Sequence, residues 1–187
     1  MIGWRLSTGT MGPMLIRHHT TAAAESTAVY APDEQYRYLL TRVWQPQGRR
    51  ALFVMLNPST ATEAQNDPTV ERCQRRAVAL GHGAFRVVNI FAFRATDPRV
   101  MKAAADPVGP DNDAAISDSL DWADDVIAAW GTHGAHLARG AAVERMIRAA
   151  GVTPQVLALT RDGHPQHPLY VAYARRPVPW LDADGPC

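Results

Sequence analysis

Four short groups of polar and aromatic residues each follow an apolar run that predicts a β-strand. Because the carboxyl ends of parallel strands meet at one edge of an α/β sheet, we expect these groups to lie close together. Amides, hydroxyls, aromatic rings and imidazoles suit the recognition of a flat heteroaromatic ring beside a phosphate. The residues concerned are Asn57, Pro58, Ser59 and Thr60; then Asn89, Phe91 and Arg94; then Gly131; and finally His164, His167 and Tyr170.

The second group supplies the strongest candidates for binding a base. Phe91 offers a ring for stacking, and Asn89 offers the paired donor and acceptor that read a base edge. Ser59, Thr60 and Arg94 are candidates for holding phosphate oxygens, with help from the positive end of the helix that begins near Asp67. Each also has a purely structural interpretation: Phe91 as a core residue and Arg94 as a surface ion-pair partner.

Asn57, Asp67 and His167 are the candidates for catalysis. Asn57 directly follows the apolar run 51–56, although an Asn-Pro pair also favours a simple turn. Asp67 precedes Pro68, and this pair is typical of a helix N-cap followed by proline at the first helical position. His164 and His167 flank a proline-containing loop, where a histidine is often only a surface residue.

The sequence predicts no metal and no cofactor. It lacks the dinucleotide fingerprint, the phosphate-binding P-loop and the G-x-S-x-G nucleophile elbow. The nearest approach to a metal site is His133, His136, His164 and His167, but His133 and His136 are not an i,i+4 helical pair and no acidic residue has a matching spacing. The two cysteines, Cys73 and Cys187, are too few for a zinc or iron–sulfur site.

Composition indicates one soluble domain. The chain has 187 residues, 47% of them hydrophobic, and a formal net charge of +1, which excludes the strong basicity of bulk nucleic-acid binders. We expect a loosely ordered N-terminal arm over residues 1–34, with at most one short strand near 14–17, and a single α/β domain over 35–187. No run approaches the roughly 20 apolar residues needed to span a bilayer, so we expect a cytoplasmic protein with no membrane partner.

The alternation of apolar runs with helical patterns predicts the fold class. Strands are expected near 36–44, 51–56, 85–91, 125–130 and 155–160, with helices near 67–81, 111–124 and 137–150. The first two strands suggest an N-terminal hairpin or edge strand. The rest predict a three-layer αβα sandwich with a mainly parallel central sheet of four strands.

Several motifs closely resemble a bacterial and phage family of unknown function, the DUF1643 family. The resemblance extends over about residues 36–180, with the motifs in order and at the family's spacing. The motifs are MLNPSTA (55–61), NDPTVERC (66–73), VVNIFAFRATDP (87–98), DPVGPDND (106–113), AWG (129–131) and DGHPQHPLY (162–170).

A more distant resemblance is to the uracil-DNA glycosylase superfamily. Leu56-Asn57-Pro58-Ser59 resembles the superfamily's first strand-end motif, Asn89 falls where its base-reading Asn stands, and His167-Pro168-Leu169 resembles its last motif. Ser59 replaces the usual Gly or Tyr, and the Ser-Pro inside the last motif is missing. The departure leaves open whether His164 or His167 faces the substrate.

The resemblance implies an N-glycosidase that hydrolyses the base–sugar bond of a base in DNA or of a nucleotide. In this hypothesis Asn57 orients water with help from Asp67, His167 stabilises charge on the leaving base, and Asn89 and Phe91 hold that base. Two alternatives stay open. One is a non-catalytic nucleic-acid-binding module, and the other is an enzyme that processes small nucleosides or nucleotides.

Overall fold

Eight strands form one sheet in the computed structural model, which describes residues 13–181. The strands are β1 (Leu15–Thr20), β2 (Glu25–Tyr30), β3 (Arg37–Val43), β4 (Arg50–Met55), β5 (Ala84–Asn89), β6 (Asp125–Ala128), β7 (Gln155–Val156) and β8 (Val178–Pro179). The helices are α1 (Pro68–Ala79), α2 (Pro98–Ala103), α3 (Asn112–Trp122) and α4 (Arg139–Ala149). Two 3₁₀ segments, Thr132–Ala138 and Pro168–Tyr170, complete the secondary structure of the described residues.

The sheet is mixed, and the prediction of a mainly parallel sheet of four strands is wrong. The strand order is β1-β2-β3-β5-β4-β6-β7-β8. Four pairings are antiparallel, namely β1 with β2, β2 with β3, β3 with β5, and β7 with β8. The other three, β5 with β4, β4 with β6, and β6 with β7, are parallel. An antiparallel extension at each end of the sheet accounts for the difference.

The N-terminal extension explains why the sequence pattern underestimated the sheet. β1 and β2 come from residues 15–30, within the segment expected to be a loosely ordered arm, whereas residues 1–12 lie outside the described part of the chain. β1 is an edge strand whose last three residues are all exposed. Burial alternates only over its first four residues, where Leu15 packs against the core, so the sequence carries a strand period that is too short to predict the whole strand.

The predicted hairpin between the strands near 36–44 and 51–56 is also wrong. β3 pairs with β2 on one side and with β5 on the other, while β4 lies beyond β5. The buried residues of β3 include Arg37 and Arg42, which are 1% and 5% exposed. These arginines gave the strand a half-polar sequence typical of an edge, although it lies inside the sheet.

Helices cover both faces of the sheet. Helix α1 packs through Val70, Cys73 and Ala77 against one face, where Phe53 and Phe85 form the core. On the other face, helices α3 and α4 pack against the sheet; the buried side chains there include Leu52, Val88, Ile116, Val143 and Ile147. Because both faces are covered, the central strands consist almost entirely of buried residues.

The parallel strands determine where the loops meet. Strands β5, β4, β6 and β7 run in the same direction, so their carboxyl ends open on one edge of the sheet. The polypeptide leaves these strands at residues 56, 90, 129 and 157. Within residues 13–181, no helix combines the length and the hydropathy that crossing a bilayer requires.

Candidate functional site

A cavity of about 610 Å³ lies where loops from these strand ends converge. This volume falls within the range of small-molecule sites, which runs from about 300 to 1,000 Å³. The predicted site residues that line it are Asn57, Ser59, Thr60, Asp67, Gly131, His167 and Tyr170. The fold therefore brings together the three residues predicted to be catalytic, which come from two loops: Asn57 and Asp67 from the one between β4 and α1, and His167 from the one after β7.

Asn57 is anchored through its amide nitrogen. Its Nδ2 donates to the carbonyl oxygen of Ala95 at 2.7 Å and to that of Pro58 at 3.1 Å. Ala95 returns a backbone hydrogen bond to the Pro58 carbonyl at 2.9 Å, so the loops after β4 and β5 are joined. With both protons of Nδ2 committed, Oδ1 is the group of the Asn57 side chain that can accept a hydrogen bond from water or a ligand.

Asp67 is the N-cap of helix α1. Its Oδ1 accepts hydrogen bonds from the backbone amides of Thr69 at 2.9 Å and Val70 at 2.8 Å. Its Oδ2 has one longer contact, 3.4 Å from the amide of Ala61. The structural interpretation of Asp67 is therefore correct, and the same carboxylate also lines the cavity. Oδ2 retains the capacity to accept a proton from a bound water molecule.

His167 lies in the loop after β7 and is a neutral imidazole at physiological pH. Burial lowers its pKa from the usual 6.5 to about 4, and the charge of nearby Asp67 offsets only part of this effect. Its Nδ1 accepts a long hydrogen bond of 3.4 Å from the amide of Leu169. This contact assigns the proton of the neutral ring to Nε2, which makes Nε2 a donor.

Gly131 allows the loop of His167 to approach the end of β6. Its backbone has φ of 73° and ψ of −174°, a combination adopted almost only by glycine. Its amide donates to the carbonyl of Pro165 at 2.7 Å. An added Cβ at this position would lie 3.6 Å from the Cβ of His167. This space would accept a methyl group, so the glycine serves the contact between the two loops through its backbone conformation and not through its small size.

Two buried arginines of β3 hold the loop that leads to Asp67. Arg37 donates to the carbonyl of Ala61 at 2.6 Å, and Arg42 donates to that of Thr62 at 2.6 Å. Burial lowers the pKa of Arg37 to about 10, so it stays charged at neutral pH. These contacts attach the 61–66 segment to the sheet and orient the entry into helix α1.

Five predicted site residues are not brought to this cavity. Asn89 is 2% exposed and Phe91 is fully buried, with its ring 5.6 Å from that of His136. Arg94 donates to the carbonyl of Glu34 and lies 5.3 Å from the ring of Tyr30. Pro58 does not line the cavity, and its carbonyl accepts hydrogen bonds from Asn57 and Ala95. His164 lines a separate, smaller cavity beside Trp130.

Sequence reasoning left other lining residues out of the predicted site. They come from the same strand-end loops and are Thr96, Trp130, Thr132, His133, Thr160 and Gln166. Their position in loops that follow predicted strands was the available signal, but three of the six are threonines, a residue type that carries no specific chemical pattern there. Burial and the neighbouring Lys102 lower the pKa of His133, whose Nδ1 lies 3.1 Å from Nζ of Lys102.

The cavity wall carries little positive charge. None of the described residues that line it is Arg or Lys, and two amides at the start of helix α1 are already bound by Asp67. Within residues 13–181, no group of three or more His, Cys, Asp or Glu side chains is arranged to hold a metal ion. The polar groups that remain include one carboxylate, two side-chain amides and two imidazoles, with several hydroxyls.

Comparison with known proteins assigns this chain to a family. A family model described as "Protein of unknown function (DUF1643)" matches residues 37–169. The chain belongs to the DUF1643 family. The matched segment contains Asn57, Asp67 and His167, the three residues predicted to be catalytic, and it ends at Leu169. No curated protein and no solved structure matches the chain. The comparisons therefore do not show the more distant similarity to uracil-DNA glycosylases.

Proposed function

We propose that this protein is an N-glycosidase that hydrolyses the bond between a base and its sugar, in DNA or in a nucleotide or nucleoside. The observation that carries the proposal is that Asn57, Asp67 and His167 line one cavity of about 610 Å³. Cleavage of an N-glycosidic bond generates a cation-like sugar and an anionic leaving base. The site therefore needs a donor for the base and groups that place water next to the sugar.

His167 supplies the donor in this proposal. Its neutral state leaves a single N–H, on Nε2, which donates to an oxygen or nitrogen of the departing base without transferring the proton. A hydrogen bond of this kind strengthens as negative charge develops on the base. Removing one such donor typically reduces kcat by about 10²- to 10³-fold.

Asn57 and Asp67 supply the acceptors for water. The Nδ2 of Asn57 is held by two carbonyls, and the Oδ1 of Asp67 is held by two amides, so each side chain is fixed by its protein contacts. The oxygen left on each, Oδ1 of Asn57 and Oδ2 of Asp67, accepts from a bound water molecule. The water then attacks the anomeric carbon, and Asp67 accepts its proton.

The electrostatics favour a nucleoside unit over a phosphate group inside the cavity. None of the described lining residues is Arg or Lys, and Arg94, the predicted phosphate ligand, contacts Glu34 and Tyr30 instead. This observation supports a second candidate, an enzyme that acts on small free nucleosides. In both cases the base and its sugar occupy the cavity. With DNA or a nucleotide as substrate, the phosphates stay outside it.

Release of free base tests the proposal directly. Purified protein is incubated with free nucleosides and with oligonucleotides carrying uracil, hypoxanthine or other modified bases, and both base and abasic sites are measured. We expect His167→Ala and Asn57→Ala to reduce the rate of release by about 10²-fold or more, and His164→Ala to preserve it because His164 lines the separate cavity. Folded protein that releases no base from any substrate would contradict enzymatic activity. Thermal stabilisation by oligonucleotides without release would indicate a binding module instead.

A further inference from the structure

The loop that carries His167 has little regular structure of its own. β7 ends at Val156, and the next strand, the two-residue β8, begins at Val178. Between them the described chain forms an isolated β-bridge between Leu159 and Pro165, the 3₁₀ turn Pro168–Tyr170 and a few turns. A loop of this length needs external contacts to hold one conformation, because ordering each residue costs about 1–2 kcal/mol of conformational entropy.

Helix α1 provides those contacts through two arginines one turn apart. Arg72 donates from Nε to the carbonyl of Pro168 at 3.0 Å and from Nη2 to that of Val171 at 2.9 Å. Arg76 donates from Nη2 to the carbonyls of Val171 at 2.7 Å and Ala172 at 3.0 Å. Its Nη1 donates to the carbonyl of Arg175 at 3.0 Å. The i,i+4 spacing places both guanidinium groups on one face of the helix.

The environment of Arg76 is unusual for a structural arginine. The residue is 3% exposed, and in the described part of the chain its hydrogen bonds go to backbone carbonyls, not to a carboxylate. The ring of Tyr173 covers both arginines, 4.4 Å from the guanidinium of Arg72 and 5.3 Å from that of Arg76. Burying a cation against neutral partners costs free energy. The compensating free energy must therefore come from the segment that Arg76 orders.

The same helix begins at Asp67. Its first residues are bound by the Asp67 carboxylate, and its second and third turns hold the chain that follows His167. We propose that Arg72 and Arg76 are positioning residues, which bind the 168–175 segment to helix α1 and thereby fix His167 in the cavity that Asp67 lines. The two side chains then keep a constant relation because one rigid helix holds both. The catalytic meaning of this coupling rests on the proposed function, whereas the coupling itself does not.

The test is an NMR titration of the histidine rings in Arg72→Met and Arg76→Met, with His167→Gln used to assign the signal of His167. The wild-type ring is expected to titrate well below 6.5. In both variants we expect the His167 pKa to rise by about one unit or more toward 6.5, because the released loop exposes the ring to water. Arg72→Lys keeps the positive charge and one hydrogen-bonding nitrogen. Its His167 pKa should therefore lie between that of the wild type and that of Arg72→Met.

Arg75→Met is the matched control. Arg75 lies on the same helix, is exposed and pairs with Glu71, so the variant should leave the His167 titration unchanged. Hydrogen exchange provides a second readout, with faster exchange expected for the amides of Tyr170 and Val171 in the Arg72 and Arg76 variants only. If Arg76→Met fails to fold, Arg72→Met carries the test, because Arg72 is less buried.

An unchanged His167 pKa and unchanged exchange in a folded Arg72→Met or Arg76→Met protein would overturn the proposal. Both measurements are made without substrate, so the outcome does not depend on glycosidase activity. If base release is found, the same variants should lose kcat more than they raise KM, since they displace a group that acts in the transition state. If the titration shifts but no base release is ever observed, the positioning role stands and the proposed function fails.

Discussion

The carboxylate of Asp67 caps helix α1 and also lines the cavity into which His167 is folded, so one side chain links the start of a helix to the candidate site. Its negative charge raises the pKa of His167, but burial of the imidazole outweighs that effect. The neutral imidazole can donate a hydrogen bond through Nε2, and the carboxylate of Asp67 can accept one from water. This arrangement underlies the proposed chemistry and most of the following predictions.

His167 should make the protein less stable in mild acid. Its pKa is about 4 in the folded protein and about 6.5 when unfolded, so between these values the unfolded chain binds the extra proton. Stability is unaffected by this group above pH 6.5 and falls as the pH drops from 6.5 to 4, by at most about 1.4 kcal/mol per pH unit. Urea denaturation at several pH values measures the slope. His167→Gln should show a shallower slope in this range, and an identical slope in both proteins would rule out a lowered pKa for the half-buried His167.

Two substitutions at Asp67 should separate its structural role from its chemical role. Asp67→Asn keeps an oxygen that accepts from Thr69 and Val70, so the cap and the stability should be retained. Asp67→Ala removes the cap and should cost about 0.5–2 kcal/mol of unfolding free energy. Both should lose base release, because neither carries a carboxylate. Full activity in Asp67→Asn would remove Asp67 from the proposed mechanism.

Asn57→Asp should be more harmful than Asn57→Ala. The Nδ2 of Asn57 donates to the carbonyls of Pro58 and Ala95, and an aspartate would place a negative oxygen against one or both of them. We expect Asn57→Asp to lose about 1–3 kcal/mol of stability and to separate the loops after β4 and β5. Differential scanning calorimetry of the two variants makes the comparison. Equal melting temperatures would show that the amide does not hold these loops together.

Gly131→Ala should impair the site mainly through backbone strain. The added methyl group would make ordinary contact with the Cβ of His167 at 3.6 Å, but φ of 73° with ψ of −174° is unfavourable for alanine. The expected cost is about 1–3 kcal/mol, with loss of base release as the loop moves. Gly151→Ala is the control, because Gly151 also has a positive φ of 76° and has open space around it. It should lose stability without losing activity.

Gly134→Ala should displace the indole of Trp130. A Cβ at position 134 would lie 2.2 Å from Cδ1 of Trp130, which is closer than any real contact, so the ring must move. Trp130 is 2% exposed and forms part of the cavity wall. The substitution should cost about 1–3 kcal/mol and change the tryptophan fluorescence of the folded protein. Ala135→Ser, at the exposed neighbouring position, should change neither property.

The amino-acid sequence alone determined the positions of the central elements. Buried strands such as β4 and β5 are continuous apolar runs, and helix α1 has an N-cap, a proline at its first position and an apolar stripe. These features are local, so they can be read without knowledge of the fold. The same local logic correctly placed Asn57 and Gly131 just after strand ends, and the parallel order of those strands brought their loops to one edge.

Only the tertiary structure decided the sheet's full extent and the membership of the site. Strand pairing depends on partners distant in sequence, so residues 15–30 indicated at most one short strand near 14–17 and not the two antiparallel strands that they add to the sheet. Side-chain direction at a strand end likewise depends on what packs around it. Phe91 is fully buried in the core and Arg94 lies over Tyr30, while His167 and not His164 lines the cavity with Asn57. The hydrogen bonds of Arg72 and Arg76 join residues that are 96 and 95 positions apart in the sequence. No local pattern encodes contacts of that range.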